Sequence, residues 1–173
     1  GFVYYLSKIL KINEKSLINS LKSFKGLPHR HEIFYKRNNR IFINDSKATS
    51  FEASKFALKS NKNIYWIVGG LPKTGDKFQI KEIKKNIVKA YIIGKNISFF
   101  RKQIGKKIPF TVSKNIRNAV NNIYKDIKPK KNLKKTILLS PAAASFDQFS
   151  NFENRGNYFK NLILKKFKQG LNV

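Results

Sequence analysis

Apolar residues recur at two different spacings along this chain, and the spacing predicts which segments are helices and which are strands. Apolar positions three or four residues apart predict helices over residues 1–10, 14–24, 50–60, 80–86, 98–103, 114–127 and 145–167. Short apolar runs predict buried strands over residues 64–68, 88–93, 108–112 and 136–139. Two further segments flank Asn38 and Asn39 and predict a hairpin of strands at 32–36 and 40–44.

The order of these elements indicates an α/β fold. From Arg40 onward strands and helices alternate, which predicts a mostly parallel sheet with helices on both faces. In such sheets ligands bind beyond the carboxyl ends of the strands. The loops after Ile43, Val68, Ile93 and Leu139 are therefore the first places to look for function.

A break in the pattern predicts a domain boundary near residue 26. Gly26 and Pro28 end the second predicted helix and turn the chain in a new direction. We therefore expect residues 1–25 to be the last helices of a preceding domain and residues 26–173 to form a domain of their own. The chain starts at Gly1 and contains no Met, so we expect it to be part of a longer protein.

Composition excludes several kinds of site. The chain has no Cys, which removes disulfides, thiolate zinc sites and cysteine nucleophiles. With only His29 and His31, a histidine-rich metal site is not expected either. No apolar run approaches the roughly 20 residues that a membrane-spanning helix needs, so we expect no membrane span.

The formal net charge of +28 leaves two interpretations open. A nucleic-acid-binding module would use such a charge for phosphate contacts. However, most of the basic residues are scattered Lys in a chain also rich in Asn, Ile and Phe, as A/T-rich codons would produce. Proteins that read bases favour Arg, whose planar fork makes bidentate contacts. The residues therefore favour a drift in composition, although so positive a field will still attract small anions.

The loop after Ile43 combines an acid, a lysine and hydroxyl groups in six residues. A helix cap would account for Ser46 or Thr49, but it does not require Asp45 or Lys47. Lysine at the start of a helix opposes the helix dipole, which suggests that a bound anion compensates it. On these residues alone, a plain capping turn and an anion site both remain open.

Two further loops carry groups that suit a small anion. Gly69 and Gly70 permit close backbone approach and Lys73 adds a point charge, although a glycine turn with a solvated lysine explains them equally well. No window of the chain fits the Walker A pattern. In the loop from residue 140, Ser145 is either a plain N-cap, with Gln148 completing a capping box, or part of an anion site at the start of a helix.

Taken together, these loops resemble one family of enzymes. The motifs are Gly-Leu-Pro-His-Arg at 26–30, Ile-Asn-Asp-Ser-Lys-Ala-Thr at 43–49, Gly-Gly at 69–70 with Lys73, Ser-Pro-Ala-Ala-Ala-Ser-Phe-Asp-Gln-Phe at 140–149, Asn-Phe-Glu at 151–153 and Arg-Gly at 155–156. Over nearly the whole chain, their order and spacing resemble the UDP-N-acetylmuramoyl-L-alanine:D-glutamate ligases, a branch of the Mur ligases of peptidoglycan synthesis. The two longest motifs are specific, whereas the Gly-Gly motif with its lysine alone is not.

The resemblance implies a fold and a reaction. Such ligases have a UDP-binding domain, a central ATPase domain and a carboxy-terminal Rossmann-like domain that binds the incoming amino acid. This chain is similar to the third domain, preceded by the last helices of the second. The implied enzyme is cytoplasmic and ADP-forming: ATP phosphorylates the carboxylate of UDP-N-acetylmuramoyl-L-alanine, and the amine of D-glutamate attacks the acyl phosphate.

The resemblance also implies which parts lie elsewhere. ATP and Mg²⁺ would be bound mainly by the central domain, whose P-loop is not in this chain, and no residue here is expected to be a metal ligand. We therefore expect the 173 residues alone to be inactive. The competing hypotheses are a basic nucleic-acid-binding module and a non-catalytic interaction domain, and retention of the three loops argues against the latter.

Finally, the resemblance assigns a D-glutamate site. Its two carboxylates would be held by Thr49, Lys73 and Ser145, assisted by the backbone at Phe146 and Phe152. A dicarboxylate needs a cation, hydroxyl donors and free helix N–H groups, and this set offers all three.

The nucleotide and the reacting phosphates would face a second set of residues, namely His29, Arg30, Asp45 and Lys47. Of the charged groups, Lys47 and Lys73 are the expected catalytic residues. Arg30 lies beside the boundary at residue 26, where a contact that closes two domains together is expected.

Overall fold

Strands and helices alternate from residue 40 onward in the computed structural model of the chain, which describes residues 1–79, 83–127 and 133–168. The strands are β1 (Glu32–Arg37), β2 (Arg40–Asn44), β3 (Ile64–Gly69), β4 (Ile87–Ile93), β5 (Phe110–Lys114) and β6 (Lys135–Leu139). The α-helices are α1 (Phe2–Ile9), α2 (Glu14–Ser23), α3 (Phe51–Ser60), α4 (Ile97–Ile104), α5 (Ile116–Ile127) and α6 (Phe152–Lys168).

The strands form one sheet in the order β1-β2-β6-β3-β4-β5. β1 runs antiparallel to β2, and every other neighbouring pair is parallel. The predicted α/β fold with a mostly parallel sheet is confirmed. Because β2, β6 and β3 are neighbours, their carboxyl ends at Asn44, Leu139 and Gly69 lie side by side at one edge.

Helices cover both faces of the sheet, also as predicted. On one face, Trp66 of β3 belongs to the same buried cluster as Phe51 of α3 and Phe100 of α4. On the other face, the next residue of β3, Ile67, lies in a cluster with α5 and α6, including Phe159. Successive strand residues point to opposite faces, so a strand covered on both sides is apolar at every position.

The start of α3 differs from both capping alternatives. Its N-cap is Ser50, whose hydroxyl accepts the N–H of Ala53 at 3.2 Å. Neither Ser46 nor Thr49 caps this helix, because the chain remains non-helical through Ser50 and the helix begins only at Phe51. The hydroxyl of Thr49 is therefore not used in a cap.

The last helix was predicted seven residues too early. The carbonyl of Ser145 accepts the N–H groups of Gln148 and Phe149, which makes a tight turn rather than a capping box. The helix begins after Asn151, whose side-chain oxygen accepts the N–H of Asn154 at 2.7 Å. The free N–H groups of this helix start therefore lie near residue 152 and not near residue 145.

Two other elements are shifted or shortened. A single turn of 3₁₀ helix at Gly105–Lys107 prolongs α4, so the strand predicted at 108–112 begins only at Phe110, opposite Ala90 of β4. Of the helix predicted over 80–86, residues 80–82 lie outside the described residues, and Lys84–Asn86 forms one 3₁₀ turn.

The two amino-terminal helices are present as predicted. Asn13 caps α2 by accepting the N–H groups of Lys15 and Ser16. Many of their apolar side chains are exposed to solvent, including Phe2 and Phe24. The domain boundary near residue 26 stays a prediction. Among the described helices, none combines the length and apolar character that crossing a bilayer requires.

Candidate functional site

Three loops meet at the carboxyl edge of the sheet. They are the β2 loop (residues 45–50), the β3 loop (residues 70–76) and the β6 loop (residues 140–151). The N–H of Asp45 donates to the carbonyl of Leu139 at 2.8 Å, which joins the β2 loop to the end of β6. Leu71 and Ala144 exchange two backbone hydrogen bonds of 2.9 Å, which join the β3 loop to the β6 loop.

A side-chain hydrogen bond closes the third side of this junction. The carboxylate of Asp76, at the end of the β3 loop, accepts the N–H of Phe51, the first residue of α3, at 2.9 Å. Thr49, Lys73 and Ser145 each lie within two residues of one of these bonded positions. The structure therefore gathers the loops that carry these residues at one edge of the sheet.

The polar groups expected to bind D-glutamate lack partners. Within the described residues, no hydrogen bond involves the hydroxyls of Thr49 and Ser145 or the ammonium group of Lys73. The same holds for the N–H groups of Phe146 and Phe152. Lys73 is exposed, Thr49 is half-buried and Ser145 is only 3% exposed. A cation, two hydroxyls and two N–H groups thus remain free to donate.

Asp45 is buried and already engaged. Its carboxylate accepts hydrogen bonds from the Ser140 hydroxyl at 2.7 Å and from the His31 N–H at 3.0 Å. Burial raises the pKa of Asp45, because it disfavours the charged form, and these hydrogen bonds offset only part of the rise. The side chain fixes the β2 loop against β6 and the segment before β1.

His29 is held in a buried network as well. Its Nδ1 accepts a hydrogen bond from the side-chain amide of Asn44 at 2.9 Å, which assigns the ring proton to Nε2. The same amide donates to Glu32 at 3.0 Å. Gly156 packs directly against the His29 ring, since a Cβ at position 156 would lie 2.2 Å from Nδ1 of His29. Only a residue without a side chain fits at this position of α6.

The remaining residues expected on the nucleotide side are exposed. Arg30 is exposed, and so is Lys47, whose N–H donates to the His29 carbonyl at 3.0 Å. The ammonium group of Lys47 lies 3.7 Å from the ring centre of Phe152, a cation–π contact that orients the lysine. His29, Asp45 and Lys47 are therefore close together around the β2 loop.

Sequence reasoning missed Arg155, which joins the first turn of α6 to the β2 loop. It is 1% exposed, and its guanidinium donates to the hydroxyl and the carbonyl of Ser46. Burial lowers the pKa of Arg155 to about 10, although the nearby charge of Asp147 acts in the opposite direction. One signal was available, because an Arg inside a specific motif stands out in a chain whose cations are mostly Lys.

Asp147 was missed too, although it lies within the longest motif. Its carboxylate accepts the N–H of Lys95 at 2.9 Å, just beyond the end of β4. A Cβ on Gly94 would lie 2.4 Å from the same oxygen, so the two segments touch. Asp147 thus anchors the β6 loop to the next strand of the sheet.

Comparisons with known proteins agree with this fold. No protein-family model matches the chain. It is 43% identical over 159 residues to the UDP-N-acetylmuramoylalanine--D-glutamate ligase of Wolbachia sp. subsp. Brugia malayi, covering 91% of this chain and 32% of the relative. The ligases of the same name from Rhizobium meliloti and Rickettsia felis are 41% and 38% identical, over 86% and 92% of this chain and 32% and 35% of the relatives.

The chain thus spans about a third of the length of these relatives. A solved structure of MurF from Acinetobacter baumannii matches 92% of this chain and 35% of its own length, with a TM-score of 0.63 and 12% sequence identity, which shows a shared fold. The chain belongs to the Mur ligases and corresponds to their carboxy-terminal domain.

Proposed function

We propose that the chain is the D-glutamate-binding part of an ATP-dependent, ADP-forming ligase that adds D-glutamate to UDP-N-acetylmuramoyl-L-alanine in the cytoplasm. The observation that carries the proposal is the set of unpaired donors on three joined loops: the side chains of Thr49, Lys73 and Ser145 and the N–H groups of Phe146 and Phe152. The names of the relatives support the choice of substrate.

Within this proposal, the donors bind the two carboxylates of D-glutamate. Lys73 supplies the only cation of the set, so it neutralises one carboxylate. The hydroxyls of Thr49 and Ser145 and the two N–H groups donate the hydrogen bonds that replace the water lost on binding. The bound amino acid then presents its amine to the acyl phosphate, and the reaction forms an amide with release of phosphate.

The nucleotide side lies around the β2 loop. Arg30 and Lys47 are exposed cations suited to phosphate oxygens, and Nε2 of His29 is a further donor. Asp45 acts mainly by fixing the loop, because its carboxylate already accepts two hydrogen bonds. We assign Lys47 and Lys73 as the catalytic lysines, which stabilise the negative charge that develops on the reacting phosphate and on the oxygen of the attacked acyl group.

Among the described residues, no three or more His, Asp or Glu side chains are grouped so that they could hold a metal ion. We propose that Mg²⁺ and the phosphates of ATP are held by the rest of a longer ligase, and that residues 1–25 are the end of its central domain. On this basis the 173 residues alone do not turn over.

The proposal is tested by domain replacement. This chain is joined to the part of the Wolbachia ligase that it does not match, and phosphate release is measured with ATP, UDP-N-acetylmuramoyl-L-alanine and D-glutamate. We expect turnover that depends on all three substrates and is not supported by L-glutamate. A folded fusion whose phosphate release does not depend on D-glutamate would refute the proposal. Turnover by the 173 residues alone would refute the predicted inactivity of the chain by itself.

A further inference from the structure

Arg155, in the first turn of α6, is a buried cation that none of the roles proposed above uses. Its side chain is 1% exposed, in a protein whose other charged groups lie mostly at the surface. Burying a charge is costly, and an apolar side chain of similar size would commonly be at least as stable at such a position. A buried guanidinium therefore calls for a role other than filling space.

The hydrogen bonds of Arg155 form a closed link between the β2 loop and the first turn of α6. Its Nε donates to the Ser46 hydroxyl at 3.0 Å, and its Nη2 donates to the Ser46 carbonyl at 2.8 Å. The Ser46 hydroxyl in turn donates to the carbonyl of Phe152 at 2.8 Å. The middle of the β2 loop is thereby fixed to the first turn of α6.

The third loop lies against the same guanidinium. A Cβ added to Gly70 would lie 3.3 Å from Nη1 of Arg155 and 2.4 Å from the carbonyl oxygen of Ala144. Nη1 is buried and has no hydrogen-bond partner among the described residues. One side chain therefore lies where the β2, β3 and β6 loops come together.

We propose that Arg155 is a positioning residue that sets the distance between the two sides of the D-glutamate site, Thr49 on the β2 loop and Phe152 on α6. The inference rests on the proposed function. It also makes a selective prediction, because Asp45 is held independently of Arg155 by Leu139, Ser140 and His31. Asp45 should therefore stay in place when the link is lost, whereas Lys47 follows Ser46 in the chain and contacts the Phe152 ring, so the nucleotide side should be affected less than the D-glutamate side.

The test uses the fusion enzyme described above with Arg155→Lys, and Arg117→Lys, on the exposed face of α5, as the matched control. Lysine keeps the charge but cannot present the planar fork that reaches both Ser46 acceptors. We expect the KM for D-glutamate to rise about tenfold and the KM for ATP to rise by no more than about threefold. Partial unfolding would lower kcat and leave both KM values unchanged, so it gives a different result.

A second variant covers the case in which Arg155→Lys does not fold. Ser46→Ala removes only the hydroxyl in the link and should raise the KM for D-glutamate about threefold, again with a smaller effect on the KM for ATP. Unchanged D-glutamate KM values in the folded variants would overturn the inference. A wild-type fusion without D-glutamate-dependent turnover would instead overturn the proposed function.

The inference also has a test that does not depend on activity. In amide NMR spectra of the 173-residue chain, Arg155→Lys should shift the resonances of residues 46–49 and 152, and Arg117→Lys should leave them in place. If the two variants leave these amides equally unaffected, Arg155 does not position the β2 loop.

Discussion

The β2 and β6 loops differ sharply from the β3 loop, although all three contribute to one site. Buried side chains fix the first two: Asp45 joins the β2 loop to Ser140 of the β6 loop, and Ser46 joins it to Arg155 of α6. The β3 loop is bonded at its two ends, and Lys73 between them is exposed. The difference separates two tasks: buried hydrogen bonds fix the geometry, while an exposed cation avoids the desolvation cost that burial would impose before the ligand binds.

The largest expected effect is on stability and comes from Gly156→Ala, beside the buried network of His29. A glycine of the β3 loop provides the comparison. Gly156→Ala places a Cβ 2.2 Å from Nδ1 of His29 and 2.9 Å from the Asn44 side-chain oxygen, so the buried network must move. We expect the free energy of unfolding to fall by about 3 kcal/mol or more. Gly75→Ala in the β3 loop meets nothing within 4 Å and carries only the strain of its φ of 76°, about 1 kcal/mol.

Urea unfolding of the 173-residue chain measures both values. Trp66 is the single tryptophan and is fully buried, so its fluorescence reports the loss of the core. Equal losses for the two variants would remove the distinction between the buried loops and the exposed loop.

The second prediction concerns the exposed β3 loop, where we expect a substitution to change stability little and D-glutamate binding strongly. Lys73→Met should change the free energy of unfolding by less than about 0.5 kcal/mol, because the side chain is exposed and has no partner among the described residues. In the fusion enzyme, the KM for D-glutamate should rise roughly 30-fold, as expected from about 2 kcal/mol for a lost charged contact. Exposed Lys77 provides the matched control, since Lys77→Met should change neither quantity. A KM that stays at the wild-type value would exclude Lys73 from the site.

The contrast between buried and exposed regions also explains which parts of the fold and of the candidate site could be predicted from the sequence. The apolar spacing predicted the fold class and most elements, because burial on both faces of the sheet leaves a direct pattern in β3 and in α5. It misplaced the start of the last helix, since Ser145 and Asn151 are equally plausible caps and only the tertiary bonds of the β6 loop decide between them. Arg155 was missed because its partner Ser46 lies 109 positions away.

The third prediction uses two carboxylates of the buried region, whose pKa values shift in opposite directions. Burial alone would raise the pKa of Glu32, but hydrogen bonds from Lys160 and the His29 N–H, with the charge of Lys160, hold it below its ordinary 4.5. The folded state therefore binds fewer protons, and the stabilisation by Glu32 is fully present above pH 4.5 and lost as the pH falls through the lowered pKa. For Asp45, whose pKa is raised, the contribution is greatest in acid and is lost as the pH rises through that pKa.

Two variants distinguish these opposite dependences of stability on pH. Relative to wild type, the destabilisation caused by Glu32→Gln should shrink as the pH falls from about 6 to about 3.5, and that caused by Asp45→Asn should shrink as the pH rises over the same range. Urea midpoints measured across this range give both trends. If the stability difference from wild type changed with pH in the same direction for both variants, the opposite pKa shifts of Glu32 and Asp45 would be contradicted.

The smallest effects come from two phenylalanines of neighbouring motifs, Phe146 and Phe152, which differ in what their rings contact. The ring of Phe152 lies 3.7 Å from the ammonium of Lys47 and meets the His29 ring edge-on at 5.9 Å, so Phe152→Ala should cost about 1 kcal/mol in stability and raise the KM for ATP a few-fold. Phe146 is 70% exposed, and only its N–H is proposed to bind D-glutamate. Phe146→Ala keeps that N–H, so stability and both KM values should stay within about 0.5 kcal/mol of wild type. A large rise in the D-glutamate KM for Phe146→Ala would show that the ring itself contacts the ligand, and the backbone assignment would then have to be abandoned.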